Sequence, residues 1–288
     1  MQITKENLTI IIVTIKSEKI IENCLNSIDP NIKKIIVENS SDEKFKNSIE
    51  KKFQNVKCYL TGKNLGMGSG NNFGLKKSTT DYVMILNPDT ILKQNTLSEI
   101  FKISYNLDFA ILSPISSDEK FPNFIKNKNN QQKNIHKDLF EVDRVDGYSM
   151  ILNKSKFSNQ FFDENIFMYL ENDDLCLRMR KKNEKIYVYK KSIISHIGAK
   201  AVDEKYFEEV ELSRNWHWNW SKFYFRKKHY GFFNAFFFNF PTFIKSTFKS
   251  IYYYLFNNRK KFKLYSCRAS GFLNSFLNKE SWYRPKFD

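Results

Sequence analysis

Between Leu212 and Lys279 the sequence contains no aspartate and no glutamate. The same stretch carries thirteen lysines and arginines, from Arg214 to Lys279, and so holds most of a net charge of +16. That asymmetry divides the chain by charge alone into a nearly balanced part, 1–205, and a basic, aromatic-rich part, 206–288. Cysteine is also sparse: Cys24, Cys58, Cys176 and Cys267 stand far apart and match no zinc spacing. A reducing cytoplasm is the expected compartment. The short apolar run after Asn7 reads as a strand and not as a signal peptide. A membrane-spanning helix needs about 20 consecutive apolar residues. The richest segment, 229–256, is broken by Pro241, Lys245 and Lys249 and diluted by Asn234 and Asn239. No internal repeat is present.

What is there is enough for a real core. The chain has 288 residues, 41% hydrophobic and 16% aromatic, sufficient for one large domain with an appendage. "LTIIIVT" (8–14), "KKIIVENS" (33–40), "VKCYL" (56–60) and "YVMIL" (82–86) have strand length and β-branched character. "EKIIENCLNSI" (18–28) and "DEKFKNSIEKKF" (42–53) have helical spacing. Strands alternating with helices imply an α/β fold with a mostly parallel central sheet. Such sheets bind ligands at the carboxyl ends of their strands, where Glu38-Asn39-Ser40 and Asp89 fall. Residues 116–140 read as a long polar surface loop, 142–152 as a strand, 161–183 as a loop leading into a helix, and 185–198 as a strand with a polar turn.

Four constellations carry chemistry. "GKNLGMGSGNNFGLKKS" (62–78) is glycine-rich, and a helix beginning there would aim free amides at an anion. Its position after the third strand excludes the dinucleotide fingerprint. Asn87-Pro88-Asp89 ends an apolar strand on a carboxylate, which either caps the next element or binds a hard cation together with substrate phosphates. "ENDDLCLR" brings Glu171, Asp173 and Asp174 together, either as an acidic helix start or as the source of a general base. His196 follows a strand and precedes a glycine, as a loop ligand would.

In their order along the chain these motifs resemble the family-2 inverting glycosyltransferases of the GT-A fold, in particular the rhamnosyltransferase-like branch. The resemblance runs from Leu8 to His196 through "IIVT", "VENS", "NLGMGSGNNFGL", "LNPDT", "VDGYSMIL", "FMYLENDDLCLRMR" and "HIG", and extends to "WHWNWSKFYFRKKHYG" and "GFLNSFLNKESWYRP" in the tail. It implies a nucleotide-sugar site formed by Thr14, Glu38, Asn39, Asn64, Gly66, Gly70, Asn71, Asn87 and Asp89. Glu38 replaces the usual aspartate, and Asn87 replaces the first aspartate of the metal-binding Asp-x-Asp motif. Asp89 and His196 would hold Mn²⁺ or Mg²⁺, and Asp146 and Gly147 would lie on the acceptor side. The usual pattern Glu-Asp-x-Asp-Leu here reads Glu171-Asn172-Asp173-Asp174-Leu175, so the base is Glu171 or Asp173, with Asp174 orienting. The implied reaction moves a rhamnose-like or other hexose from a dTDP- or UDP-sugar to a lipid-linked or polysaccharide acceptor.

The tail is read as an interfacial amphipathic segment, its cations toward an anionic membrane surface. A helical cap on the catalytic domain is the alternative. The expected location is therefore cytoplasmic, peripheral on the inner face of the cytoplasmic membrane. The rival readings are a nucleotidyltransferase and a non-catalytic membrane- or nucleic-acid-binding protein. Nucleic acid is not an expected partner, because that reading leaves Asp89, the acidic cluster and the glycine loop unexplained.

Overall fold

The computed structural model describes residues 2–126, 137–158, 160–196 and 204–286. By packing, the chain forms two compact units, Met1–Asp163 with Asn172–Asp203, and Glu164–Glu171 with Glu204–Asp288. Composition drew the boundary after residue 205; packing adds 164–171 to the C-terminal side.

The first unit alternates β1 (Leu8–Thr14), α1 (Glu18–Asn26), β2 (Lys33–Glu38), α2 (Glu43–Lys52), β3 (Val56–Leu60), α3 (Gly66–Lys77), β4 (Tyr82–Leu86), β5 (Thr90–Leu92) and α4 (Thr96–Ile103). It continues with β6 (Ile111–Ser116), β7 (Phe124–Ile125), β8 (Leu139–Glu141), β9 (Arg144–Val145), β10 (Ser149–Asn153), α5 (Glu171–Lys181), which opens with the last residue of the second unit, and β11 (Ile186–His196). One sheet runs β3-β2-β1-β4-β10-β6-β11-β5, with β8 also paired to β11. Strands β1 to β4 are mutually parallel, whereas β10 runs antiparallel to β4 and β5 antiparallel to β11. Every residue of β1 and β4 is buried, as central strands covered on both faces must be.

Local chemistry sets the helix ends. Asp42 caps α2 by accepting the Phe45 amide at 2.9 Å, and Lys51 and Lys52 complete its last turn. Helix α3 lies close against β1. A Cβ on Gly74 would sit 2.6 Å from Ile11 Cγ2, and one on Gly70 2.9 Å from Val13 Cγ1. These two glycines therefore have a reason in packing, apart from any approach to a ligand.

Two sequence readings change. The segment read as a loop over 116–140 contributes β7, which pairs with β9, and the start of β8. The continuous strand read over 142–152 is two strands interrupted by Asp146-Gly147-Tyr148. Residues 127–136 of that loop, and the turn carrying Gly198, lie outside the described residues.

The second unit contains α6 (Phe207–Tyr230), α7 (Phe232–Leu255) and α8 (Arg259–Phe276). Gly231, in a left-handed conformation (φ +88°), separates α6 from α7. Pro241 does not end α7; it sits inside a continuous helix on its exposed side. A small core joins Phe223, Ala235 and Phe272. A Cβ on Gly271 would stand 2.2 Å from the Trp216 carbonyl oxygen, so α6 and α8 pack backbone to backbone there. Among the described residues no helix is long and apolar enough to cross a membrane.

Candidate functional site

Parallel strands deliver their carboxyl ends to one edge of the first unit. Thr14 ends β1 and is in register with Glu38, which ends β2. Both are buried, and the Thr14 hydroxyl donates to one Glu38 carboxylate oxygen while the Ser40 hydroxyl donates to the other at 2.8 Å. Burial pushes the Glu38 carboxyl up, against the pull of those two hydroxyls. Buried Asn39 ties the glycine loop to this edge. Its amide nitrogen donates to the Gly66 carbonyl at 3.2 Å, and the Gly66 amide donates to Asn64 Oδ1 at 3.0 Å. Gly66 is left-handed (φ +81°), which its lack of a Cβ permits. Leu65 at the N-cap of α3 supplies no side-chain acceptor, so the first amides of that helix can face an anion. Asn71, one turn on, is buried and its Oδ1 has no hydrogen-bond partner.

The Asn87-Pro88-Asp89 turn follows β4. The Asn87 amide donates to the Tyr148 carbonyl at 2.9 Å, and the Cys24 thiol donates to the Asn87 carbonyl at 3.6 Å. Antiparallel pairing of β5 with β11 sets His196 opposite Thr90. Asp89 Oδ1 and His196 Nε2 thereby come within 3.2 Å. They do not meet in hydrogen-bond geometry, and both atoms are buried without a hydrogen-bond partner, as is Asn87 Oδ1. Leaving a buried polar atom unsatisfied costs about 1–3 kcal/mol, so this concentration of such atoms makes the turn the candidate ligand site. A carboxylate oxygen and an imidazole nitrogen converging in this way fit a divalent cation. Among the described residues no group of three or more His, Cys, Asp or Glu side chains is placed to hold a metal ion.

Tyr148 was not singled out in the sequence. Its ring stacks on His196 at 4.0 Å and 9°, fixing the imidazole plane, and burial pushes its phenol up to about 12. Arg144, also missed, donates to Asp173 Oδ1 at 2.6 Å and lies 3.5 Å from Asp146 Oδ1. Burial pulls the Arg144 guanidinium down, but the bond and charge of Asp173 and the charge of Asp146 outweigh it and hold it up. Burial raises the Asp146 carboxyl, with Arg144 opposing. Asp174 is wholly buried and paired with Arg178 at 2.8 Å; Arg178 in turn donates to the Gln160 and Phe161 carbonyls. Asn172 is structural here, its amide donating to the Val145 carbonyl at 2.9 Å and its side chain 3.4 Å from where a Gly147 Cβ would be. A carboxylate at 172 could not make that donation.

Glu171 ends the segment that belongs to the second unit. Two non-glycine residues immediately before it, Tyr169 and Leu170, are left-handed (φ 70° and 68°). Each costs roughly 1–2 kcal/mol, and such strain persists only where surroundings impose it. Here Phe167 stacks on His217 at 4.4 Å beneath the Arg284 guanidinium at 3.7 Å, Ser221 donates to the Met168 carbonyl at 2.9 Å, and Tyr169 meets Trp218 edge-on at 5.5 Å. The motifs "WHWNW" and "SWYRP" in the tail thus fix the elbow before Glu171.

A family model for glycosyl transferase family 2 matches residues 9–161. The chain is 26% identical over 222 residues to a low-salt glycan biosynthesis hexosyltransferase of Haloferax volcanii, covering 70% of each chain. It is 28% identical over 191 residues to the rhamnosyltransferase WbbL of Escherichia coli, covering 56% of this chain and 71% of that one. A solved mannosyltransferase of Pyrobaculum calidifontis, in complex with GDP-Man and Mn²⁺, has a TM-score of 0.57 at 10% identity, over 95% of this chain and 88% of that one. The chain belongs to glycosyl transferase family 2, and its fold is of the GT-A type.

Proposed function

We propose that this family member transfers a hexose, rhamnose or a related sugar, from a nucleoside-diphosphate donor to a lipid-linked or polysaccharide acceptor, with inversion at the anomeric carbon. The observation that carries the reading is the pair Asp89 Oδ1 and His196 Nε2, buried, 3.2 Å apart and lacking hydrogen-bond partners. These two residues would hold Mn²⁺ or Mg²⁺. When bound, the cation supplies charge neutralisation for the departing diphosphate. Glu38, Asn39 and the Asn64–Asn71 segment bind the nucleotide, and the amides at the start of α3 face its phosphates. Asp146 and Gly147 line the acceptor side.

In the reaction the acceptor oxygen forms a bond to the anomeric carbon as the bond from that carbon to the phosphate oxygen breaks. The acceptor proton passes to a carboxylate, and the nucleoside diphosphate leaves. We assign the proton to Glu171. Asp173 and Asp174 are each committed to an arginine, and taking up a proton would dismantle that pair. Asp146 is the second candidate: its contact with Arg144 is the longer one, 3.5 Å against 2.6 Å for Asp173, and burial raises its carboxyl toward the range useful to a base.

The test is nucleoside diphosphate release from dTDP-rhamnose, UDP-hexoses and GDP-mannose, with Mn²⁺, Mg²⁺ or EDTA and with lipid-linked acceptors. Thermal shift with nucleotide and metal is read in parallel. Asp89→Ala should lose metal-dependent release by roughly a hundredfold or more and lose the metal-dependent shift. Glu171→Gln should lose release by about a hundredfold or more with the shift retained. Retained turnover in Glu171→Gln beside loss in Asp146→Asn would move the base. Inorganic diphosphate as the product would overturn the reading in favour of nucleotidyl transfer.

A further inference from the structure

Helix α7 carries a stripe that the glycosyl-transfer reading does not use. Phe233, Phe237, Phe240, Ile244, Phe248, Ile251 and Leu255 recur at intervals of three and four. At about 100° per residue all seven fall within an arc of roughly 80°. The opposite side of the helix holds the buried Ala235, Asn239 and Ser246, so the partners α6 and α8 occupy that side alone. The stripe is widely open toward its ends and less so at its middle: Phe233, Phe237, Phe248 and Leu255 are 74%, 71%, 69% and 72% exposed, Phe240 and Ile244 36% and 37%. Over 24 residues it extends about 36 Å. At its far end Tyr252, Tyr254 and Phe256 are exposed as well, and the turn after them leads directly into exposed Arg259, Lys260 and Lys261.

Charge decides what covers this face. No carboxylate occurs from Leu212 to Lys279, and thirteen cations do. A second copy of the chain would bring the same cations against these, which like-charge repulsion opposes. A surface that is apolar within and negatively charged at its boundary complements both features, and aromatic side chains favour the level between headgroup and acyl chain. The helix cannot cross the bilayer; it can lie along it.

We infer that α7 is a monotopic membrane element, lying in the plane of an anionic leaflet. Its Phe233-to-Leu255 stripe enters the acyl boundary, and the basic first turn of α8, Arg259 to Lys261, sits on lipid phosphates. The inference stands on surface chemistry and is independent of catalysis.

The experiment is flotation of the full chain with phosphatidylcholine vesicles, with and without phosphatidylglycerol. Thermal melts of every variant establish folding. The unaltered chain should float with the anionic vesicles and stay behind with the neutral ones. Phe237→Ser/Phe248→Ser, both far from the candidate site residues in sequence, should weaken binding at least tenfold, since each phenyl group buried accounts for about that much. Lys260→Gln/Lys261→Gln should weaken it by about tenfold or more and reduce its salt sensitivity. Tryptophan placed at 248 (F248W) should be quenched by lipids brominated near the headgroup end of the acyl chain more than by those brominated at its terminus. Failure to float with anionic vesicles would overturn the inference. So would a concentration-dependent dimer abolished by the phenylalanine changes, or tight single-stranded RNA binding that the same changes remove.

Discussion

Strand β1 and helix α7 are both rich in large apolar side chains, and they meet opposite fates. Ile10, Ile11 and Ile12 are wholly buried, because both faces of the sheet are covered there: Ile10 and Ile12 pack in one core with Ile21 and Leu25 of α1, and Ile11 in the other with Leu75 of α3. Phe233, Phe237 and Phe248 stand in the open, because neighbours cover only the other side of α7. Apolar character specifies burial only where the topology supplies a second surface. A strand inside a parallel sheet has two covered faces; a helix satisfies its partners with one stripe and can leave another free. The polar residues show the converse. The first unit buries Asp89, His196 and Asn87 with atoms lacking hydrogen-bond partners, while the second exposes phenylalanine. Buried polar atoms and exposed apolar patches are the two informative departures from ordinary partitioning; here a cluster of the first lies at the strand ends around Asp89, and a run of the second lines α7.

The largest way to break this contrast is at the glycines that allow close packing. A methyl group at Gly271 would meet the backbone of Trp216, which has no rotamer to change, so Gly271→Ala should destabilise the second unit by about 3 kcal/mol or more. Gly74→Ala meets the Ile11 side chain instead, which can shift, and should cost about 1–3 kcal/mol. Denaturant midpoints of the two variants test the order. Equal losses would mean that the backbone of α6 yields as readily as a side chain.

His217 sharpens the comparison by pH. Burial between Phe167 and Trp216 lowers its pKa from an ordinary 6.5 to about 3. Between those values the unfolded chain binds a proton that the folded one refuses, so stability is fully present above pH 6.5 and falls as the pH drops toward 3. The loss is on the order of a few kcal/mol. Melting followed by tryptophan fluorescence should show it, since Trp216, Trp218, Trp220 and Trp282 all lie in the second unit. His217→Gln should flatten the pH slope; an unchanged slope would sink the assignment.

The smallest effect concerns the elbow before Glu171. Leu170→Gly relieves a left-handed conformation and should cost no more than about 1 kcal/mol net, with relief of strain offsetting lost packing. Turnover should fall several-fold at unchanged KM, because Glu171 is no longer held. Unchanged turnover would show that the strained elbow serves packing alone.

Much of the fold was legible because it is written locally. The β-branched runs announced β1 to β4, and the amphipathic spacing of 42–53 announced α2. The Asn-Pro-Asp turn marked the strand end where Asp89 lies. Pro241 with Lys245 and Lys249 argued against a membrane span, and no described helix is long and apolar enough to be one; the continuity of α7 through Pro241 was not legible locally. Asn172 reads as the amide standing where the family pattern has a carboxylate; its donation to the Val145 carbonyl could not be read from the sequence. Tyr148 and Arg144 carried no local signal, because their roles depend on partners distant in the chain.

The sequence by itself determined the order of elements, the glycine loop, the carboxylate at the end of β4 and the acid-free tail, since each follows from neighbours in the chain. Only the tertiary structure decided that His196 faces Asp89, that Arg144 bridges Asp146 and Asp173, and that the α7 stripe is left uncovered. Strand pairing and helix packing join residues with no local relation, and the ladder that sets His196 opposite Thr90 exists only once the sheet has formed.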